Sequence, residues 1–253
     1  MSAELPSMNF LGLDFVEAPH EQLAAELDRL SRCSGMSLVV TPNVEHVVML
    51  RGKRQPGHVE QRFSRAYGAA SLRLCDSRVL RGLAWVKGIK LTVLTGSDVT
   101  ALLFEQGWLD NRKVALIGGD ANMPRDLKAR FPSVDVVQHI PPMGVLDNEP
   151  AIERIEEFLK SEQWEYILFA IGAPRSEIIA HRVMATGSVT GVAFCLGASI
   201  EFMLGRKRRA PRWMQLAGLE WVFRLLTEPR RLWRRYLIEG PKIISIMRAW
   251  RPS

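Results

Sequence analysis

The sequence predicts an α/β fold, a mostly parallel sheet with helices on both faces, followed by a helical C-terminal appendage. Three observations carry this expectation. Between residues 37 and 195, short β-rich runs alternate with segments of helical periodicity. Most of the runs are continuously apolar, as strands buried on both faces require. After Gly205 the composition turns abruptly basic and rich in tryptophan. The first two observations describe a Rossmann-like domain over residues 1–205; the third sets off an appendage over 206–253.

In chain order, residues 37–41, 71–75, 91–94, 114–117, 134–137, 166–171 and 189–195 read as strands. Helical patterns occupy 78–86, 99–105, 122–130, 151–159 and 176–184. Asn43 is placed to cap a further helix running to Leu50. The appendage reads as helices at 211–226, 230–238 and 242–250, with Pro229 and Pro241 each in the first turn of a new helix. No internal repeat or low-complexity segment interrupts the pattern.

Composition excludes several classes. At 47% hydrophobic and 24% charged residues, the 253-residue chain has the balance of a folded globular protein. Cys33, Cys75 and Cys195 lie far apart without metal-ligand spacing, which predicts a reducing compartment and no structural zinc. The acidic first thirty residues lack the pattern of a secretory signal. The longest nearly apolar run, 189–204, is too short to span a bilayer and contains Glu201.

Charge is unevenly placed. From Arg206 onward, eleven Arg and two Lys stand against three Glu, so this segment carries +10 of a total of +7, and residues 1–205 carry −3. The same segment holds Trp213, Trp221, Trp233 and Trp250. Apolar residues such as Leu232, Trp233, Tyr236, Leu237, Ile243, Ile244, Ile246 and Met247 exceed what one short helix packs on a core. Basic helices with boundary tryptophans lie in membrane interfaces, where anionic lipid attracts each cation by about 1 kcal/mol. An anionic membrane surface is therefore the expected partner of the appendage.

Ligands of parallel sheets sit beyond the carboxyl ends of the strands. Six strand ends here are small or polar: Thr41-Pro42-Asn43, Asp76-Ser77, Thr95-Gly96-Ser97-Asp98, Gly118-Gly119-Asp120, Gly172-Ala173-Pro174 and Gly197-Ala198-Ser199. Each alone is explained by turn and capping chemistry. Together they form a rim of backbone N–H groups near helix starts, a setting for anions such as a nucleotide diphosphate.

At these residues the chain resembles the WecG/TagA/CpsF family of bacterial glycosyltransferases, over about residues 37–236. The ordered series continues through Glu45, Glu177, Arg209-Ala210-Pro211-Arg212-Trp213-Met214, Gly218-Leu219-Glu220-Trp221 and Glu228-Pro229-Arg230-Arg231. No tripeptide is specific by itself, whereas the series is. The resemblance implies an inverting enzyme, peripheral on the inner face of the cytoplasmic membrane. Such an enzyme transfers a sugar from a UDP-sugar donor to a polyprenyl-diphosphate-linked acceptor in surface-polymer synthesis. No cofactor is expected, and a homo-oligomer is compatible with this reading. Arg175-Ser176-Glu177 departs from the family's frequent Lys-Gln-Glu, and Gly197-Ala198 and Glu201 depart from Gly-Gly and Asp.

The site residues follow from the same match. Inverting transfer needs a base for the acceptor hydroxyl. Spacing alone favours reading Asp76 as a helix cap; it is the family match that turns the reading to the base. No Asp-x-Asp stands at a strand end to hold a metal, so fixed cations must stabilise the leaving diphosphate, a task that suits guanidinium groups. Arg224, Arg231 and Arg234, at spacings of seven and three, are the candidates; otherwise they are three of many lipid-facing cations. Thr41, Asn43, Thr95, Gly96, Gly118, Gly119, Gly172, Glu177, Gly197 and Glu201 are the candidate substrate contacts. His46, His139, His181 and Cys75 read as structural. Two other classes compete: a nucleic-acid binder, suggested by pI 9.7 but opposed by the tail's long aliphatic runs, and a Rossmann oxidoreductase, opposed by the missing Gly-x-Gly-x-x-Gly. No nucleic-acid partner is expected.

Overall fold

Six parallel strands form the central sheet of the protein. A computed structural model describes residues 5–53 and 55–251. Strands β1 (Ser7–Phe10) and β2 (Leu13–Val16) form an antiparallel hairpin, and α1 (His20–Ser31) leads from it into the sheet. The sheet comprises β3 (Met36–Val40), β4 (Leu72–Arg73), β5 (Lys113–Gly118), β6 (Asp135–His139), β7 (Tyr166–Ala170) and β8 (Gly191–Cys195), in the order β4-β3-β8-β7-β5-β6. All five strand pairings within it are parallel.

The continuous apolar runs divide by parity. Leu38, Val40, Ala115, Ile117, Ile167, Phe169, Ala193 and Cys195 enter one core. Val39, Val114, Leu116, Tyr166, Leu168, Val192 and Phe194 enter the other. Successive side chains alternate across a strand, so a sheet covered on both faces needs apolar residues at every position. The first core is completed by α2 (Val44–Arg51), α3 (His58–Ala69), α4 (Arg78–Val86), α7 (Glu149–Lys160) and α8 (Arg175–Ala185). The second is completed by α1, α5 (Gly96–Phe104), α6 (Met123–Arg130) and the short α9 (Ser199–Met203).

Residues 91–94 do not form the expected strand. Among the described residues, a single parallel bridge, Cys75 to Val93, is all that joins them to the sheet. The backbone N–H of Thr92 donates instead to the Glu17 carboxylate, at 2.8 and 3.0 Å. Thr95 then caps α5, which ends any extended run. The β1–β2 hairpin was not anticipated either. Its two-residue turn, Leu11-Gly12, has positive φ at both positions, a geometry that sequence usually announces with Asn-Gly or Asp-Gly.

The C-terminal segment is helical but more broken than its pattern suggests. The expected helix at 211–226 is two: α10 (Arg212–Leu216) and α11 (Glu220–Thr227), parted by Gly218 at φ +72°. Then follow α12 (Pro229–Trp233), a π-helical turn over Arg234–Glu239, and α13 (Lys242–Ala249). The apolar residues expected at a lipid interface divide into two groups. Leu232 and Ile243 are buried, and Ile246, Met247 and Trp250 pack on the first core. Trp250 meets Phe10 edge-on, with ring centroids 5.3 Å apart. Trp213, Leu216, Leu226, Trp233, Leu237, Ile238 and Ile244 remain exposed. Among the described residues, no helix is long and apolar enough to cross a membrane.

Candidate active site

The carboxyl ends of β3 and β4 meet the C-terminal helices around a cleft of about 500 Å³. Its floor is the start of α2 with Asn43 and Glu45, the β4–α4 turn with Asp76, Ser77 and Arg78, and Thr95. Its other wall is C-terminal: Glu220, Trp221, Arg224, Arg235, Tyr236 and Ile244.

Local sequence places each floor residue. Asn43 caps α2 by accepting from the His46 N–H at 3.2 Å. Ser77, one residue after Asp76, caps α4 by accepting from the Leu80 N–H at 3.1 Å. Asp76 is thus released from the capping role that its position allowed. Thr95 and Asp98 form a reciprocal capping box on α5. Such caps are worth about 1 kcal/mol each, which fixes the turns and leaves the intervening side chains turned to the cleft.

Asp76 is partly accessible and surrounded by protein. Burial pushes its carboxyl up to about 7; the Gly96 N–H and the Arg224 charge work against that rise, while Glu220 and Asp98 add to it. The Gly96 N–H donates to Asp76 Oδ1 at 3.1 Å. A carboxyl that changes charge near neutral pH suits proton transfer.

Three guanidinium groups line this carboxyl's cleft, Arg78 on the floor and Arg224 and Arg235 on the other wall. Arg224 lies over the Phe202 ring at 5.3 Å and 3.4 Å from Glu220, one helical turn back. Arg235 is ion-paired with Glu45, whose carboxyl is raised by burial and lowered by Arg235 and Arg231. Arg235 Nε is buried and has no hydrogen-bond partner among the described residues. Arg235 was not among the sequence candidates.

Arg231 and Arg234 do not line the cleft. Arg231 is exposed and pairs with Glu228 at 2.7 Å, and Arg234 is exposed. Spacings of seven and three keep residues on one face only of a continuous helix, and Pro229 already predicts a bend in the helix. Here Glu228 breaks it at φ −132°, and the π-helical turn from Arg234 shifts the following residues, so that Arg235 turns inward.

The remaining candidates spread along the same sheet edge outside the cleft lining. Thr41 is buried, and its hydroxyl donates to the Cys195 carbonyl at 3.3 Å, tying β3 to β8. Gly96 brings the start of α5 against that junction: a Cβ there would lie 2.8 Å from Ser199 Oγ and 3.9 Å from Thr41 Oγ1. Gly118, Gly119, Gly172 and Gly197 all have positive φ, from +58° to +97°, in the turns after β5, β7 and β8. Glu201 pairs with Lys207 at 2.5 Å. Glu177 is 2% exposed, its Oε2 has no hydrogen-bond partner among the described residues, and burial pushes its carboxyl up to about 7. His46 is buried, with Nδ1 2.6 Å from Tyr67 Oη, and its pKa is lowered to about 3 by burial and the Arg235 charge.

Comparison with known proteins adds to this geometry. Over 165 residues, 63% of the chain, it is 24% identical to an N-acetylglucosaminyldiphosphoundecaprenol N-acetyl-beta-D-mannosaminyltransferase of Bacillus spizizenii, covering 61% of that protein. A Staphylococcus aureus protein of the same name is 28% identical over 134 residues, 50% of this chain and 49% of that protein. The chain thus aligns with about three fifths and one half of the lengths of these relatives. The model of the WecG/TagA/CpsF glycosyl transferase family matches residues 8–253. With that match running over nearly its whole length, the chain belongs to the WecG/TagA/CpsF family of glycosyl transferases.

Proposed function

We propose that the chain is an inverting glycosyltransferase that moves a sugar from a UDP-sugar to a polyprenyl-diphosphate-linked sugar in surface-polysaccharide synthesis. The observation that carries this reading is the meeting of Asp76 with Arg224 and Arg235 in one cleft. The acceptor class follows the names of the two relatives; the donor sugar is left to experiment.

In this reading the acceptor hydroxyl attacks the anomeric carbon of the donor. A new carbon–oxygen bond forms on one face while the bond to the β-phosphate oxygen breaks on the other. The proton passes to the Asp76 carboxylate, and UDP leaves with the bonding pair. Arg224 and Arg235 offset the charge that develops on the diphosphate; loss of one such donor slows turnover by about 10²–10³-fold. Asn43 and Thr95 contact the sugar. The turns of Gly96, Gly118-Gly119, Gly172 and Gly197 bring backbone N–H groups toward the donor, with Thr41 holding β3 against β8 behind them. Glu177 shapes the electrostatics beneath the cleft, and Glu201 orders the entry to the C-terminal segment.

The enzyme works peripherally on the inner face of the cytoplasmic membrane, with residues 206–253 as the membrane-facing appendage of the 1–205 catalytic domain. Exposed Trp213, Leu216, Leu226 and Trp233 supply its apolar contact, and the excess Arg meets anionic lipid. Arg231 and Arg234 stand ready there for acceptor or lipid phosphate.

A screen of UDP-sugars against polyprenyl-diphosphate-linked acceptors, with and without a chelator, tests this function. Transfer with inverted anomeric configuration is expected. Retention of configuration, or no transfer from any UDP-sugar, would overturn it.

A further inference from the structure

Helix α4 begins at the proposed base and carries, away from the cleft, a surface that the reaction does not use. From Arg78 on the cleft floor, Arg81 and Trp85 follow at spacings of three and four along one face of the helix, leading away from the cleft. Trp85 is 78% exposed and Val86 66%, while Leu80 and Ala84 face the core. Singly exposed apolar residues are ordinary. Here two stand side by side amid Arg78, Arg81, Lys87 and Lys90, with no Asp or Glu anywhere from 77 to 97. Among the described residues, none of these four cations is engaged in an ion pair.

A hollow of about 330 Å³ opens beside Trp85, lined by Arg81, Gly82, Ile89, Lys90 and Leu91. Apart from its chain neighbours and its own helix backbone, nothing stands within 4 Å of where a Cβ on Gly82 would lie, so the hollow is open at that point. The surface is continuous with the C-terminal segment. A Cβ on Gly218, in the turn between α10 and α11, would lie 3.8 Å from Arg78 Cβ, and exposed Leu216 and Leu219 flank that turn.

Uncompensated cations call for an anionic partner. A tryptophan and a valine projecting beside them call for one with an apolar layer just beneath its charge. A lipid bilayer offers both at the required depth, because indole rings settle at the head-group level. A nucleic acid presents phosphates but no apolar layer for Val86.

We propose that α4 and the turn after it form a second membrane contact on the α/β body. An anionic phospholipid head group sits between Arg81 and Lys90, and Trp85 enters the interface. The inference rests on the reading of the chain as a membrane-associated transferase and adds to it. Attachment through the C-terminal helices alone leaves the body free to tilt. Attachment at both ends of the surface that joins them fixes the cleft mouth toward the lipid-linked acceptor.

Flotation of the full-length protein with phosphatidylcholine vesicles, with or without phosphatidylglycerol, tests this. The variants are Trp85→Ser, the pair Arg81→Ala with Lys90→Ala, and the tail pair Trp213→Ser with Leu216→Ser. The paired charge removal is expected to weaken binding to phosphatidylglycerol vesicles at least tenfold, since each cation near an anionic surface contributes roughly fivefold. Turnover of a short, water-soluble acceptor analogue should be unchanged by the α4 variants, while turnover of a vesicle-embedded acceptor falls. If the α4 variants float like the wild type and only the tail pair is lost, the α4 contact is overturned and the proposed function stands. Failure of the wild type to bind anionic vesicles would overturn both. A change of oligomeric state in Trp85→Ser, with vesicle binding intact, would assign the surface to self-association and likewise refute the proposal.

Discussion

The Asp76 carboxylate accepts a 3.1 Å hydrogen bond from the Gly96 backbone N–H, twenty residues further along the chain. This bond joins the end of β4 to the start of α5 and orients the carboxyl in the cleft. It also opposes the effect of burial, since a donor to the charged form favours ionisation. The closeness of α5 depends on the missing side chain at Gly96, because a Cβ would fall 2.8 Å from Ser199 Oγ. Ser199 cannot easily yield: it is buried and its hydroxyl donates to the Leu196 carbonyl at 2.7 Å.

Gly96→Ala is therefore expected to destabilise the protein by about 1–3 kcal/mol through overpacking, and to lower turnover by shifting the donor to Asp76. Ser199→Ala in the same chain should restore a large part of both. A double-mutant cycle by urea denaturation checks the coupling. Strict additivity would show that the two residues do not collide.

Turnover should depend on the ionised form of Asp76. With its carboxyl near 7, kcat/KM is expected to rise tenfold per pH step below about 7 and to level off above it. Asp76→Asn should remove this limb and slow turnover by about 10²-fold or more, with donor affinity little changed. A wild-type profile flat from pH 5 to pH 8 would dismiss Asp76 as the base.

Arg235→Ala should be more damaging than Arg231→Ala. Loss of Arg235 leaves the Glu45 carboxyl in a partly buried site without its main compensating charge, which raises its pKa further and costs about 1–3 kcal/mol. It also removes a cleft cation, with a turnover loss of about 10²-fold. Arg231 pairs with Glu228 in solvent, so its removal should cost under about 1 kcal/mol. Arg235→Lys keeps the charge without the fork and should recover stability more fully than rate. Thermal melts and steady-state kinetics on the three variants separate the two effects.

These cases show which parts of the molecule local sequence could express. Buried parallel strands announce themselves because both faces demand apolar residues, and β3, β5, β7 and β8 all lie where those runs stand. Asp76, Thr95 and Asn43 are visible as strand-end turns, since caps depend on residues three positions apart. Arg235 was not visible, because its facing depends on breaks at Gly218 and Glu228 and on a π-helical turn. Residues 91–94 carry strand composition, yet Glu17, from the far end of the chain, takes the N–H of Thr92. The Leu11-Gly12 turn gave no Asn or Asp signal.

Glu177 lends itself to a test that needs no substrate. Its carboxyl lies 2% exposed, and burial raises it from its ordinary value to about 7, with the Glu45 charge adding to the rise. In the unfolded chain the same group ionises near pH 4.3. Below that pH both states hold the proton, and the group contributes no pH dependence. Between about 4.3 and 7 the unfolded chain binds fewer protons than the folded one, so stability falls as pH rises. Above about 7 the full cost of ionising the buried carboxyl is present, on the order of 4 kcal/mol. Glu177→Gln, which keeps the shape and cannot ionise, should match the wild type in denaturant stability at pH 4 and exceed it by roughly that amount at pH 8. Equal stability at pH 8 would mean that the carboxylate has a partner in the folded protein.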